Sequence, residues 1–206
     1  MQPRFKTLII LTLISVALLA PFALSAAYLP IVRETAFELH EVLRGDIYKQ
    51  ITGYVALVFV LGEMVLTLRK RGRRFRPVKV TVPGSMKLWR SLHIFWGVAL
   101  LGMTLVHTGG ATGKNFNGIL LWVFFGVTLT ALVGVVAETG ILESAQQRFN
   151  LLPVGSGGEG SRPLTGIRKG QLIQGLRALW LSSHIFLVNA FFILLGFHIF
   201  LAYNFQ

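Results

Sequence analysis

The stretch Leu88–Thr108, LWRSLHIFWGVALLGMTLVHT, is apolar over a length that crosses lipid, yet it carries two histidines. A bilayer core of about 30 Å takes about 20 helical residues, and the only formal charge in this run is Arg90, near its start. Four further runs share its character: Thr7–Tyr28, Gln50–Leu68, Asn117–Ala137 and Leu179–Tyr203. Lipid offers nothing to hydrogen-bond an open strand, so all five are predicted as helices. Of 206 residues, 53% are hydrophobic and 14% charged, against roughly 25% charged in an average soluble domain. The expected fold class is an all-α integral membrane protein, a single membrane domain over residues 1–206 with five transmembrane helices. A disordered chain and an ordinary soluble enzyme are excluded. The absence of cysteine removes disulfides, thiolate catalysis, cysteine-ligated clusters and CxxCH attachment.

The net charge of +12 makes sense once these runs are in place. Arg4 and Lys6 precede the first run. Nine cations and no acid lie from Arg69 to Arg90, and Arg148, Arg162, Arg168, Lys169 and Arg177 follow the fourth run. The other two connections hold only Arg33, Arg44, Lys49 and Lys114. By the positive-inside rule the N-terminus and both basic connections are expected in the cytoplasm and the C-terminus outside, as in a bacterial inner membrane. The basic excess is thus a topology signal, and nucleic acid is not an expected partner.

The first run also has the features of a secretory signal: Arg4 and Lys6, an apolar stretch, then Ala23, Ser25, Ala26 and Ala27. Its length and Pro21 favour a retained helix; cleavage would leave four. Between charges, Ile31, Val32, Ala36, Phe37, Leu39 and Leu43 have the spacing of a short amphipathic helix lying on the outer surface. The Gly-, Ser- and Pro-rich segment Asn150–Gly170 is predicted as a flexible cytoplasmic loop.

Four of the five histidines fall inside helices: His93 and His107 on the third, His184 and His198 on the fifth. Each pair is 14 residues apart. At about 100° and 1.5 Å per residue, that spacing returns to within roughly 40° of one face and rises about 21 Å. One helix intervenes, so the third and fifth run parallel; His93 then matches His184 in depth near the inner side, and His107 matches His198 near the outer. Facing imidazoles at one depth are what an axial ligand pair to a planar metal macrocycle needs, and two such pairs imply two haems stacked across a four-helix bundle. Trp89-Arg-Ser-Leu-His93-Ile-Phe95 and Trp180-Leu-Ser-Ser-His184-Ile-Phe186 repeat the pattern W-x-S-x-H-I-F. Small residues nearby, Gly97, Gly102 and Gly196, would admit a flat ring, and Ser91 with Ser182 or Ser183 would orient imidazoles. The fifth histidine, His40, is expected to be solvated outside.

These two H-x13-H pairs, over Trp89–Tyr203, resemble the bis-histidine di-haem membrane cytochromes b. The likeness is to the cytochrome b core of quinol-oxidising complexes, with related architecture in ferric reductase and NADPH oxidase membrane domains. The resemblance implies non-covalent haem b, with the inner iron on His93 and His184 and the outer on His107 and His198, and electrons crossing the membrane between them. Lys87, Arg90 and Arg177 are then candidate partners for inner propionates and Lys114 for outer ones. Glu63, the one acid well within a helix, is expected either to snorkel to the cytoplasmic surface or to serve a proton or quinone site. The sequence holds no nicotinamide or flavin fingerprint. The function expected from the resemblance is a membrane subunit, the electron-transfer part of an oxidoreductase complex, working between the quinone pool and a partner redox protein of a respiratory chain. A stand-alone reductase of ferric iron or oxygen, or a haem carrier or scaffold, stays open as an alternative.

Overall fold

The computed structural model describes residues 4–71, 82–149 and 167–204. Their helices are α1 Phe5–Ala23, α2 Ser25–Thr35, α3 Phe37–Arg44, α4 Asp46–Arg71, α5 Met86–Thr108, α6 Phe116–Glu143 and α7 Lys169–Asn204. Five of them, α1 and α4–α7, are long and apolar enough to cross a membrane. The protein is an all-α integral membrane protein.

Local chemistry sets the helix ends. Ser85 Oγ accepts from Leu88 N–H at 3.1 Å to start α5, and Gly109, at φ 62°, ends it in a left-handed turn. Asn115 Oδ1 accepts from Gly118 N–H at 3.2 Å to start α6. The predicted outer amphipathic helix is divided in two, because Ala36 leaves helical geometry between α2 and α3. Most of the predicted 150–170 loop lies outside the described residues. Its last residues are ordered, a correction to the flexible reading: Ile167–Arg168 pairs with Arg148–Phe149, and α7 begins at Lys169, ten residues before the apolar run at Leu179. Lys169 Nζ donates to the carbonyls of Leu142 and Ser144, at 2.9 and 2.7 Å, tying the start of α7 to the end of α6.

Helix α4 packs along α5, and α6 along α7; α1 wedges against α5 and α6. At one end Tyr54 of α4 meets Tyr203 of α7, hydroxyl to hydroxyl. The four helices therefore follow one another around a ring, with α5 and α7 on its diagonal. Phe22, Val60, Leu100, Leu101, Leu121, Phe124 and Phe125 form the central cluster, with Phe59, Phe191 and Phe192 packed on it. Leu11, Val98 and Leu132 make a second patch beneath α1. Phe95, Trp122 and Phe186 point outward, as lipid-facing residues should. Buried hydroxyls satisfy themselves: those of Ser15 and Thr128 donate to the carbonyls of Leu11 and Phe124, one turn back.

Association in lipid depends on close packing more than on burial from water, and glycines supply it. Gly62 leaves room for the Trp96 indole and Gly134 for that of Trp180. A Cβ at position 134 would stand 2.5 Å from the Trp180 ring. Gly134→Ala is therefore expected to push α7 away from α6 and destabilise the protein by about 1–3 kcal/mol, measurable as a lowered thermal transition in detergent.

Candidate functional site

The four membrane histidines line the inner side of the bundle at two levels. His107 and His198 face each other with ring centroids 6.4 Å apart and planes at 88°. A metal midway between two imidazoles, about 2 Å from each nitrogen, puts the centroids about 6 Å apart. His93 and His184, one helical repeat of 14 residues earlier on their helices, are near enough to interact electrostatically.

Each ring engages its Nδ1 with a neighbouring helix. The partner of His93 Nδ1 is Glu63 Oε2 on α4, in an ion pair. His107 Nδ1 lies 2.9 Å from Thr52 Oγ1, also on α4. On α6, His184 Nδ1 lies 3.2 Å from the Val127 carbonyl and His198 Nδ1 lies 2.9 Å from Asn117 Oδ1. A carbonyl only accepts, so His184 is the donor there. Thr52 gives its hydroxyl proton to the Tyr48 carbonyl at 2.7 Å, which leaves a lone pair to accept from His107. The amide oxygen of Asn117 accepts in the same way. These three bonds assign His107, His184 and His198 to the Nδ1–H tautomer, and their lone pair falls on Nε2. His93 Nδ1 has the Glu63 carboxylate as its ion-pair neighbour and no hydrogen bond among the described residues.

The surroundings fit a planar group held between such pairs. None of the residues of α7 is buried, although its inward side carries His184 and His198. All four rings remain partly exposed. Among the described residues no three or more His, Cys, Asp or Glu gather to chelate a bare ion.

The other residues singled out in the sequence are placed as follows. Glu63 does not snorkel: its side chain is only 16% exposed and turns inward to His93. Ser183 donates to the Leu179 carbonyl, 3.0 Å away, and Ser91 to that of Lys87, also at 3.0 Å; Thr52 of α4 and Val127 and Asn117 of α6 are the Nδ1 partners of the other three rings. Gly97 faces Glu63 and Gly102 faces Leu18, while a side chain at Gly196 would meet nothing within 4 Å. The glycine that does lie against a ligand ring is Gly53, whose Cβ would stand 3.3 Å from His107 Cε1. Arg177 pairs with Glu138 of α6. Lys87 and Arg90 are exposed at the start of α5. Lys114 lines an open groove with Arg33, His40 and Trp122 on the α2 side.

Sequence reading missed the α4 clamp on the end of α5. Tyr48 donates to the Val106 carbonyl at 2.7 Å, and Lys49 Nζ donates to that of His107 at 2.6 Å. With Thr52 and Gly53 these residues occupy one face of the first turns of α4, and Lys49 is the cation nearest the His107 backbone. The signal was available as the i, i+4 spacing of Tyr48, Thr52 and Lys49, Gly53, but nothing local named their partner.

Compared with known protein families, curated proteins and solved structures, the chain matches none.

The tautomer assignment is open to direct measurement. In 15N-histidine NMR of the detergent-purified chain without added haem, His107, His184 and His198 should each show a protonated Nδ1 and a bare Nε2. Asn117→Leu should release His198 alone from that state. Protonation at Nε2 in the unaltered chain would contradict the network.

Proposed function

We propose that the protein is a di-haem cytochrome b, the membrane subunit of a redox complex that exchanges electrons with the quinone pool and a partner protein. One observation supports this reading: His107 and His198 come together with ring centroids 6.4 Å apart, and each has Nδ1 beside an acceptor on a neighbouring helix, which leaves Nε2 for a metal. His93 and His184 would hold one haem, His107 and His198 the other. Haem b supplies reversible one-electron iron chemistry when bound.

The chain's own residues do the rest. Thr52, Asn117 and the Val127 carbonyl hold three of the rings in their coordinating tautomer and raise their basicity, and Glu63 places a carboxylate beside the fourth. Phe59, Phe124, Phe125, Phe191 and Phe192 fill the layer between the two levels and keep water from it. Arg177, already neutralised by Glu138, is a weaker candidate for a propionate than Lys87 or Arg90. Following the basic connections, the N-terminus lies in the cytoplasm and the C-terminus in the periplasm. The His93 level is then the inner one, and a charge crossing the whole membrane works against about 2.3 kcal/mol per 100 mV.

The test is a reduced-minus-oxidised visible spectrum with a pyridine haemochrome count. Two haems b per chain are expected. His107→Ala or His198→Ala should each remove the same single haem, and His93→Ala or His184→Ala the other. A colourless preparation, or loss patterns that do not pair in this way, would defeat the proposal. Reduction by a quinol analogue, tried with and without added membrane extract, separates a subunit from a stand-alone reductase.

A further inference from the structure

The two histidine levels are alike in geometry and unlike in charge. Of the four groups nearest Nδ1, three are neutral hydrogen-bond acceptors: a hydroxyl, a backbone carbonyl and an amide. The fourth is the carboxylate of Glu63. Its Oε2 takes the His93 contact, whereas Oε1 is buried with no hydrogen-bond partner among the described residues. The side chain at position 97, one turn beyond His93, is only a hydrogen atom, and a Cβ there would lie 3.8 Å from that oxygen. Among the described residues its ion-pair neighbour is this imidazole. The other level has the opposite sign. Lys49 Nζ sits 2.6 Å from the carbonyl of His107, and this is its recorded hydrogen bond. No carboxylate contacts either His107 or His198 among the described residues.

Such charges bear directly on an iron bound between these rings. A carboxylate beside a ligand ring favours the more oxidised, more positive state of a metal held there. A nearby ammonium favours the reduced state. Low dielectric makes both effects stronger than they would be in water. We infer that Glu63 and Lys49 are positioning residues that make the His93–His184 level the more reducing of the two, so that an electron shared between the levels rests at His107–His198. The inference rests on the haem reading above and adds to it an order of potentials and a favoured internal direction.

The experiment is potentiometric titration of the purified holoprotein, followed by its visible α-band and by electron paramagnetic resonance. The unaltered chain should titrate in two steps. His107→Ala, which keeps only the Glu63 level, should retain the lower step, and His93→Ala the upper one. Glu63→Gln keeps the shape and a carbonyl acceptor but removes the charge. It should raise the lower step by about 59 mV, a tenfold change for one electron, and leave the upper step in place. Lys49→Met should lower the upper step alone. Retention of the upper step in His107→Ala, or an unmoved lower step in Glu63→Gln, overturns the assignment while leaving two bound haems intact. If the unaltered chain binds no haem, the underlying reading fails, and this inference with it.

Discussion

An imidazole inside hydrocarbon has to give its N–H to something, and lipid offers no acceptor. That constraint organises the bundle. Each of the four membrane histidines reaches across to a neighbouring helix: His93 and His107 to α4, His184 and His198 to α6. The helix pairs α4/α5 and α6/α7 are thereby pinned at two heights each, and every pin fixes both a rotation and a vertical register. An axial slide of one helix by a single turn would break both of its pins at once. At His107, His184 and His198 the same bonds decide which ring nitrogen is left over.

Close approach makes these bonds reachable. Gly53 lies against His107, Gly62 against Trp96 and Gly134 against Trp180; in each case a bulky ring on one helix settles where its neighbour has no side chain. The W-x-S-x-H-I-F repeat shows how far equivalence extends. Both histidines face inward and both phenylalanines outward, since the two positions are separated by the same helical angle. The tryptophans diverge. Trp89 Nε1 donates to the Pro83 carbonyl at 2.7 Å and closes the turn before α5, whereas Trp180 lies over Gly134 and its Nε1 is buried with no partner among the described residues. A shared motif fixed the face, and the neighbours fixed the use.

Around this frame the polar groups are disposed by depth. Arg177 and Glu138 pair at the end where α7 begins, and Glu143 accepts from the Phe5 amide at 3.3 Å. At the other end Tyr28 donates to the Gly109 carbonyl at 2.8 Å, and the Ser25 and Thr112 hydroxyls meet at 2.7 Å. These contacts join α1 and α2 to the turn that follows α5, so the wedge helix is anchored at both ends. Between them, Leu101 and Leu8 are almost wholly enclosed, at 0% and 1% exposure.

Hydropathy and helical periodicity by themselves determined the five long helices, their alternation and the matched levels of His93 with His184 and His107 with His198. Rise per residue and angle per residue are properties of a single helix, and a sequence carries them in its spacing. The start of α7 at Lys169 was hidden because its first turns are polar and are held by α6, not by lipid. Only the tertiary structure decided that Glu63 turns inward to His93, that Arg177 is spoken for by Glu138, and that Tyr48, Lys49, Thr52 and Gly53 clamp the end of α5. Those outcomes depend on how each helix is rotated about its axis against its neighbour. That rotation is set by side-chain packing and cross-helix hydrogen bonds between residues distant in sequence, which no local pattern records.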